Sequence, residues 1–162
     1  MSRIDLYLLS IALAAVVACS EKAEFRLFTT EEGRFEVMFP EAPKHTFSNL
    51  EVKPNGEVNV ANAYFASGGG LRCGVLYVDF PEKYRDLLKT ERPNLRLEPY
   101  RTAIIERNGL ILQTVSNDEI RVSENEIAYG ERFIAGHTSG RGTIYARFLM
   151  FNNRAYLAMA TL

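Results

Sequence analysis

The chain has 162 residues, with 19 Lys plus Arg against 20 Asp plus Glu, and a net charge of −1 at neutral pH. That balance, with no long block of like charge, excludes a surface built for nucleic acid, which needs clustered positive charge. Two cysteines and no tryptophan are present, and the length suits one domain with a real core.

Residues 1–20, MSRIDLYLLSIALAAVVACS, have a short polar start carrying Arg3, an apolar run from Leu6 to Val17 broken only by Ser10, and then small residues. This is the grammar of an export signal. As a helix the apolar run spans about 18 Å, against roughly 30 Å of bilayer hydrocarbon, too short for a comfortable permanent span. Val16-Val17-Ala18-Cys19 resembles the lipobox of bacterial lipoproteins. The resemblance implies that the Cys19 thiol takes a diacylglycerol, that the chain is cut before it, and that the new amino terminus is acylated. Ser20 lacks the aspartate that holds such proteins at the inner membrane, which implies the periplasmic face of the outer membrane. The alternative is an ordinary secretory signal cut near Ala18. The expected organisation is a signal peptide at 1–18, a short tether at 19–24, and a single domain at 25–162.

A lipidated Cys19 cannot form a disulfide, so Cys73 is unpaired. It lies in Arg72-Cys73-Gly74-Val75-Leu76-Tyr77-Val78-Asp79-Phe80, a β-branched and aromatic run that reads as sheet interior, where a lone thiol is tolerated in an oxidising compartment.

Phe35, Val37 and Phe39 alternate with Arg34 and Glu36, the period of a half-buried strand, which Pro40 ends. Thr46–Lys53 and Glu57–Phe65 read as a hairpin around Pro54-Asn55-Gly56. Cys73–Phe80 follows across Gly68-Gly69-Gly70. Asp79-Phe80-Pro81-Glu82 then looks like a capped helix start, with Tyr84, Leu87 and Leu88 on one face and Pro93 as the stop. A second helix from Pro99 to Asn108 would bury Tyr100, Ala103 and Ile104 and end at Gly109; the rival is a hairpin turning at Asn108-Gly109. The rest is strand-rich. Leu110–Val115 is followed by Ile127–Ala135, with Ile127, Tyr129 and Phe133 on one face. Thr143–Phe151 and Arg154–Thr161 form a hairpin around Asn152-Asn153.

The string from Phe28 to Pro43, with Gly33, Phe35, Val37, Phe39 and Pro40 in the form G-x-F-x-V-x-F-P, resembles the opening of a widespread bacterial domain similar to PsbP-like α/β/α sandwiches. Ile127–Phe133 and Arg154–Leu157 resemble its later blocks. The resemblance implies an α+β fold, an antiparallel β-sheet with helices packed on it, and an accessory, scaffolding or binding role. It supplies no functional residues to transfer. Such domains continue into a terminal helix, and the sequence ends at Ala160-Thr161-Leu162. Either that C-terminal helix is missing or the sequence is truncated, and without the helix Tyr156, Leu157, Met159, Phe148 or Met150 are expected to stay partly exposed and to drive self-association.

Candidate chemistry is sparse. Ser67-Gly68-Gly69-Gly70 lacks the Lys-Ser/Thr pair and the helix start of a phosphate loop. Gly136-His137-Thr138-Ser139-Gly140-Arg141-Gly142 sets a histidine beside a serine without the spacing of a hydrolase elbow. His137 and Arg141 are the candidate partner contacts. No cluster at metal-ligand spacing surrounds His45 or His137, and no cofactor is expected. Arg132, Arg141, Arg147 and Arg154 allow a modest basic face. The expected function is a lipid-anchored envelope binding module without catalysis. The alternative is a small hydrolase or thiol-dependent enzyme using Cys73 or the His137/Ser139 loop.

Overall fold

The computed structural model describes residues 24–52, 57–80, 94–121, 127–140, 142–151 and 153–162. The signal segment with Cys19, the expected turn at Pro54-Asn55-Gly56, the expected helix at 81–93, and Arg141 lie outside the described residues. Among the described residues ten elements follow one another: β1 (Arg26–Thr30), β2 (Phe35–Phe39), β3 (Lys44–Val52), β4 (Glu57–Gly68), β5 (Leu71–Asp79), α1 (Asn94–Arg107), β6 (Leu110–Arg121), β7 (Ile127–His137), β8 (Thr143–Phe151) and β9 (Arg154–Thr161).

Strands β3 to β9 form one antiparallel sheet of seven strands in the order β3-β4-β5-β9-β8-β7-β6. Hairpin partners are neighbours, as short connections dictate. The joint between the two halves is β5 against β9, with Tyr77 opposite Tyr156 and Leu76 opposite Leu157. Among the described residues strands β1 and β2 pair only with each other and lie as a separate ribbon on one face.

The two faces are covered differently. On one, Phe35, Val37 and Phe39 of β2 bury against Tyr64, Cys73, Val75, Tyr77 and Tyr156. On the other, α1 sets Leu97, Tyr100 and Ile104 against Phe133, Phe148 and Leu157. Among the described residues both cores are drawn from Phe25 onward.

The expected α+β sandwich with helices over the sheet is therefore overturned. The described chain is mostly β, with one helix of more than a single turn. A β-ribbon occupies the face where a helical layer was expected. Its aromatic side chains, at strand spacing, supply the apolar cover that an amphipathic helix would otherwise bring. The expected open face at the end of the chain is overturned too: Phe148, Met150, Tyr156 and Leu157 are buried and Met159 is half-buried. Strand β9 runs through the middle of the sheet, between β5 and β8, with cover on both sides.

Local signals were sound where turn chemistry is strong. The helix reading at 99–108 prevails over the hairpin, although α1 begins at Asn94 and carries Pro99 inside. Its end is closed by Gly109 at φ 59°, with Gly109 N donating to Glu106 O at 3.2 Å and Asn108 Nδ2 to Ile104 O at 2.8 Å, a left-handed cap. Gly69 and Gly70, at φ 59° and 78°, make the two-residue turn from β4 into β5, the geometry of a tight hairpin. Asp79 ends β5 and grips Arg154 with both carboxylate oxygens, at 2.6 and 2.7 Å; the helix it was expected to cap lies outside the described residues. Arg154 also donates to Glu32 O at 2.6 Å, which ties the β1–β2 turn to the sheet.

Candidate functional site

Helix α1 covers only part of its face. At its last turn lies a groove of about 540 Å³, bounded by Ile104 and Arg107 of α1 and by Asn108 just after it, and floored by β4, β5, β9 and β8. Small side chains make the room. Ala61 and Ala63 on β4 and Ala146 on β8 leave depth that larger residues would fill. Gly74 of β5 stands opposite Phe65 of β4, and a Cβ at Gly74 would come within 2.5 Å of the Phe65 ring. The glycine lets that ring lie down across the strand and form a wall of the groove. Leu76, Leu157, Met159 and Ile144 complete an apolar floor.

The rim is polar. Arg72 holds its guanidinium over the Phe65 ring, 5.2 Å from the centroid. Arg107 donates to Asn49 O at 2.6 Å, bridging the helix end to β3, where a cation also suits the helix dipole. His137 closes the far end. Its Nδ1 accepts from Ser139 N at 3.3 Å and contacts Ser139 Oγ at 2.8 Å. An acceptor Nδ1 places the ring proton on Nε2, which then points a donor outward. Neither Arg72 nor Arg107 has a carboxylate partner among the described residues.

A second concavity of about 400 Å³ lies on the opposite face, beside the β1–β2 ribbon, between Thr114, Ser116, Ile134, Tyr145 and Ala158. Its charges are spent internally. Asp118, 6% exposed, accepts from Arg147 through both oxygens and lies 3.5 Å from Arg132 Nε. The arginines that allowed a modest basic face meet carboxylates in their described members: Arg132 and Arg147 share Asp118, and Arg154 pairs with Asp79. Arg154 meets Asp79 directly across β9 and β5, Arg132 meets Asp118 diagonally across β7 and β6, and Arg147 of β8 reaches Asp118 over the intervening β7.

The nominated residues are not brought together. Cys73 is buried in the ribbon-side core, and burial pushes its thiol up to about 11, away from the thiolate that nucleophilic chemistry needs. His137 and Ser139 do meet, on an exposed turn. His45 stacks on Tyr64 at 4.4 Å and is remote from both in the sheet order. Among the described residues no group of three His, Cys, Asp or Glu side chains could hold a metal ion, and no helix is long and apolar enough to cross a membrane. Sequence reasoning missed Arg72, Arg107 and the alanine floor. Their nearness depends on the β5–β9 pairing and the tilt of α1, which alternation along single strands does not encode.

Compared with known proteins, the chain matches no family model and no curated protein.

Proposed function

We propose that this chain is exported, held by lipid on Cys19 at the periplasmic face of the outer membrane, and serves there as a binding module for an envelope component without chemistry of its own. The observation that carries the binding role is the groove beside α1, an apolar concavity of about 540 Å³ with a few polar groups at its edge. Sites for small ligands have this form and run from about 300 to 1,000 Å³. The lipid address rests on Val16-Val17-Ala18-Cys19. A photo-crosslinking side chain at Ile144, inside the groove, and another at Ile111, which is 59% exposed outside it, test the role in the native envelope. Capture of one defined species from Ile144 and not from Ile111 supports it. The same captures from both positions count against it.

A second reading, a small hydrolase, is favoured by the 2.8 Å contact between Ser139 Oγ and His137 Nδ1 at the groove's end. It predicts release of nitrophenol from a medium-chain ester, abolished by Ser139→Ala. Turnover that survives that change, or none in the wild type, removes it.

A further inference from the structure

We infer that the groove takes a single-chain anionic amphiphile of the long-chain carboxylate class, with its alkyl chain on the alanine floor and its head at the rim between Arg72, Arg107 and His137. The inference rests on the reading of the groove as a ligand site. Two features of the groove point to this class.

The floor formed by Ala61, Ala63, Leu76, Ala146, Leu157 and Met159 is apolar, so the part of the ligand that lies on it must be apolar as well: a polar group placed there would lose its water without a replacement partner. The charge at the rim has one sign. Among the described lining residues Arg72, Arg107 and His137 are basic or proton-donating, and none is Asp or Glu. Arg107 uses one of its donors on Asn49 O, and Arg72 is stacked over Phe65 with its fork at the edge of the groove. The opposite concavity shows the contrast, because its arginines already hold Asp118. A cationic rim with no carboxylate among the described lining residues, above an apolar floor, complements a molecule with a negative head and an apolar tail, and guanidinium groups bind carboxylates through charge-assisted hydrogen bonds.

The test uses the chain from residue 20 onward, which carries both cores, titrated calorimetrically below the micelle concentration of each probe. The probes are dodecanoate, decanoate, dodecanol and dodecylamine. Dodecanoate is expected to bind one to one. Loss of two buried methylenes should weaken decanoate about 15-fold, and dodecanol and dodecylamine should each bind at least tenfold more weakly than dodecanoate. The double variant Arg72→Glu/Arg107→Glu, with both changes at exposed positions, should lose the preference for carboxylate and keep the affinity for dodecanol. Equal binding of dodecanoate, dodecanol and dodecylamine would overturn the inference while leaving the groove as a ligand site. Binding of none of the four, with a dimer by sedimentation that Ile144→Trp disrupts, would overturn it in favour of a second copy and would also remove the groove as a small-ligand site.

Discussion

Truncating Phe35 to Ala removes the ring that fastens the β1–β2 ribbon to the sheet. Phe35 is 2% exposed. Its centroid lies 6.4 Å from Phe28, 5.7 Å from Tyr64, 6.2 Å from Tyr77 and 6.4 Å from Tyr156. A buried Phe→Ala change costs about 3 to 5 kcal/mol, depending on how far the site collapses. Three of these neighbours stand on sheet strands fixed by pairing on both sides, so relaxation is confined to the ribbon. Aromatic pairs add to plain area burial, and the loss should therefore be about 4 kcal/mol. Urea unfolding reads it as a lower midpoint at unchanged slope. Glu36→Ala, on the other side of the same strand, should change stability by less than about 1 kcal/mol. A Phe35→Ala loss under about 1 kcal/mol, or a larger effect at Glu36 than at Phe35, would refute the assigned face and the ribbon's role as cover.

Burial raises the Glu131 carboxyl above its ordinary range, and the hydrogen bond and charge of Arg101 oppose that rise. The folded state thus keeps a proton that the unfolded chain gives up near about 4.3. The associated stability is complete below that value and declines as pH rises through the folded value. Arg101→Met leaves the buried carboxylate alone and should cost about 3 to 5 kcal/mol at neutral pH, with the deficit shrinking towards pH 4. A deficit that stays constant from pH 4 to pH 8 would count against this pairing. Cys73, with its thiol pushed up to about 11, should react with thiol reagents at pH 7 only on unfolding; fast labelling of the native domain would revive a thiol-dependent enzyme. Cys19→Ser should abolish palmitate incorporation and leave a differently processed precursor, and labelling at the wild-type level would refute the lipid anchor.

The parts of the fold legible in the sequence were those set by neighbours in the chain. Asn108-Gly109 closes α1, Gly69-Gly70 turns β4 into β5, and the alternation around Phe35, Val37 and Phe39 fixes the buried face of β2. The covering layer was not legible. Alternation indicates that a sheet has buried faces but not whether a helix or a ribbon buries them, and in β1 only Phe28 signals the core while Leu27 is 63% exposed. The second half of β6, Ser116–Arg121, also escaped notice. It lies on an edge strand, and its inward Asp118 is accommodated by Arg147 and Arg132, not by apolar packing. A helix started at Pro99 omits the first turn of α1, because proline is favoured at the first helical position and its place inside a helix is not signalled locally. The groove is least legible of all, because its walls come from residues as far apart in sequence as Ala61 and Met159.

Native mass spectrometry of the chain extracted from its own envelope tests the binding role most directly. The wild type is predicted to carry, beside the acyl groups on Cys19, one non-covalent adduct of lipid mass, which Ile144→Trp removes by filling the groove. A wild type that arrives bare, or an adduct that Ile144→Trp leaves untouched, would contradict the account.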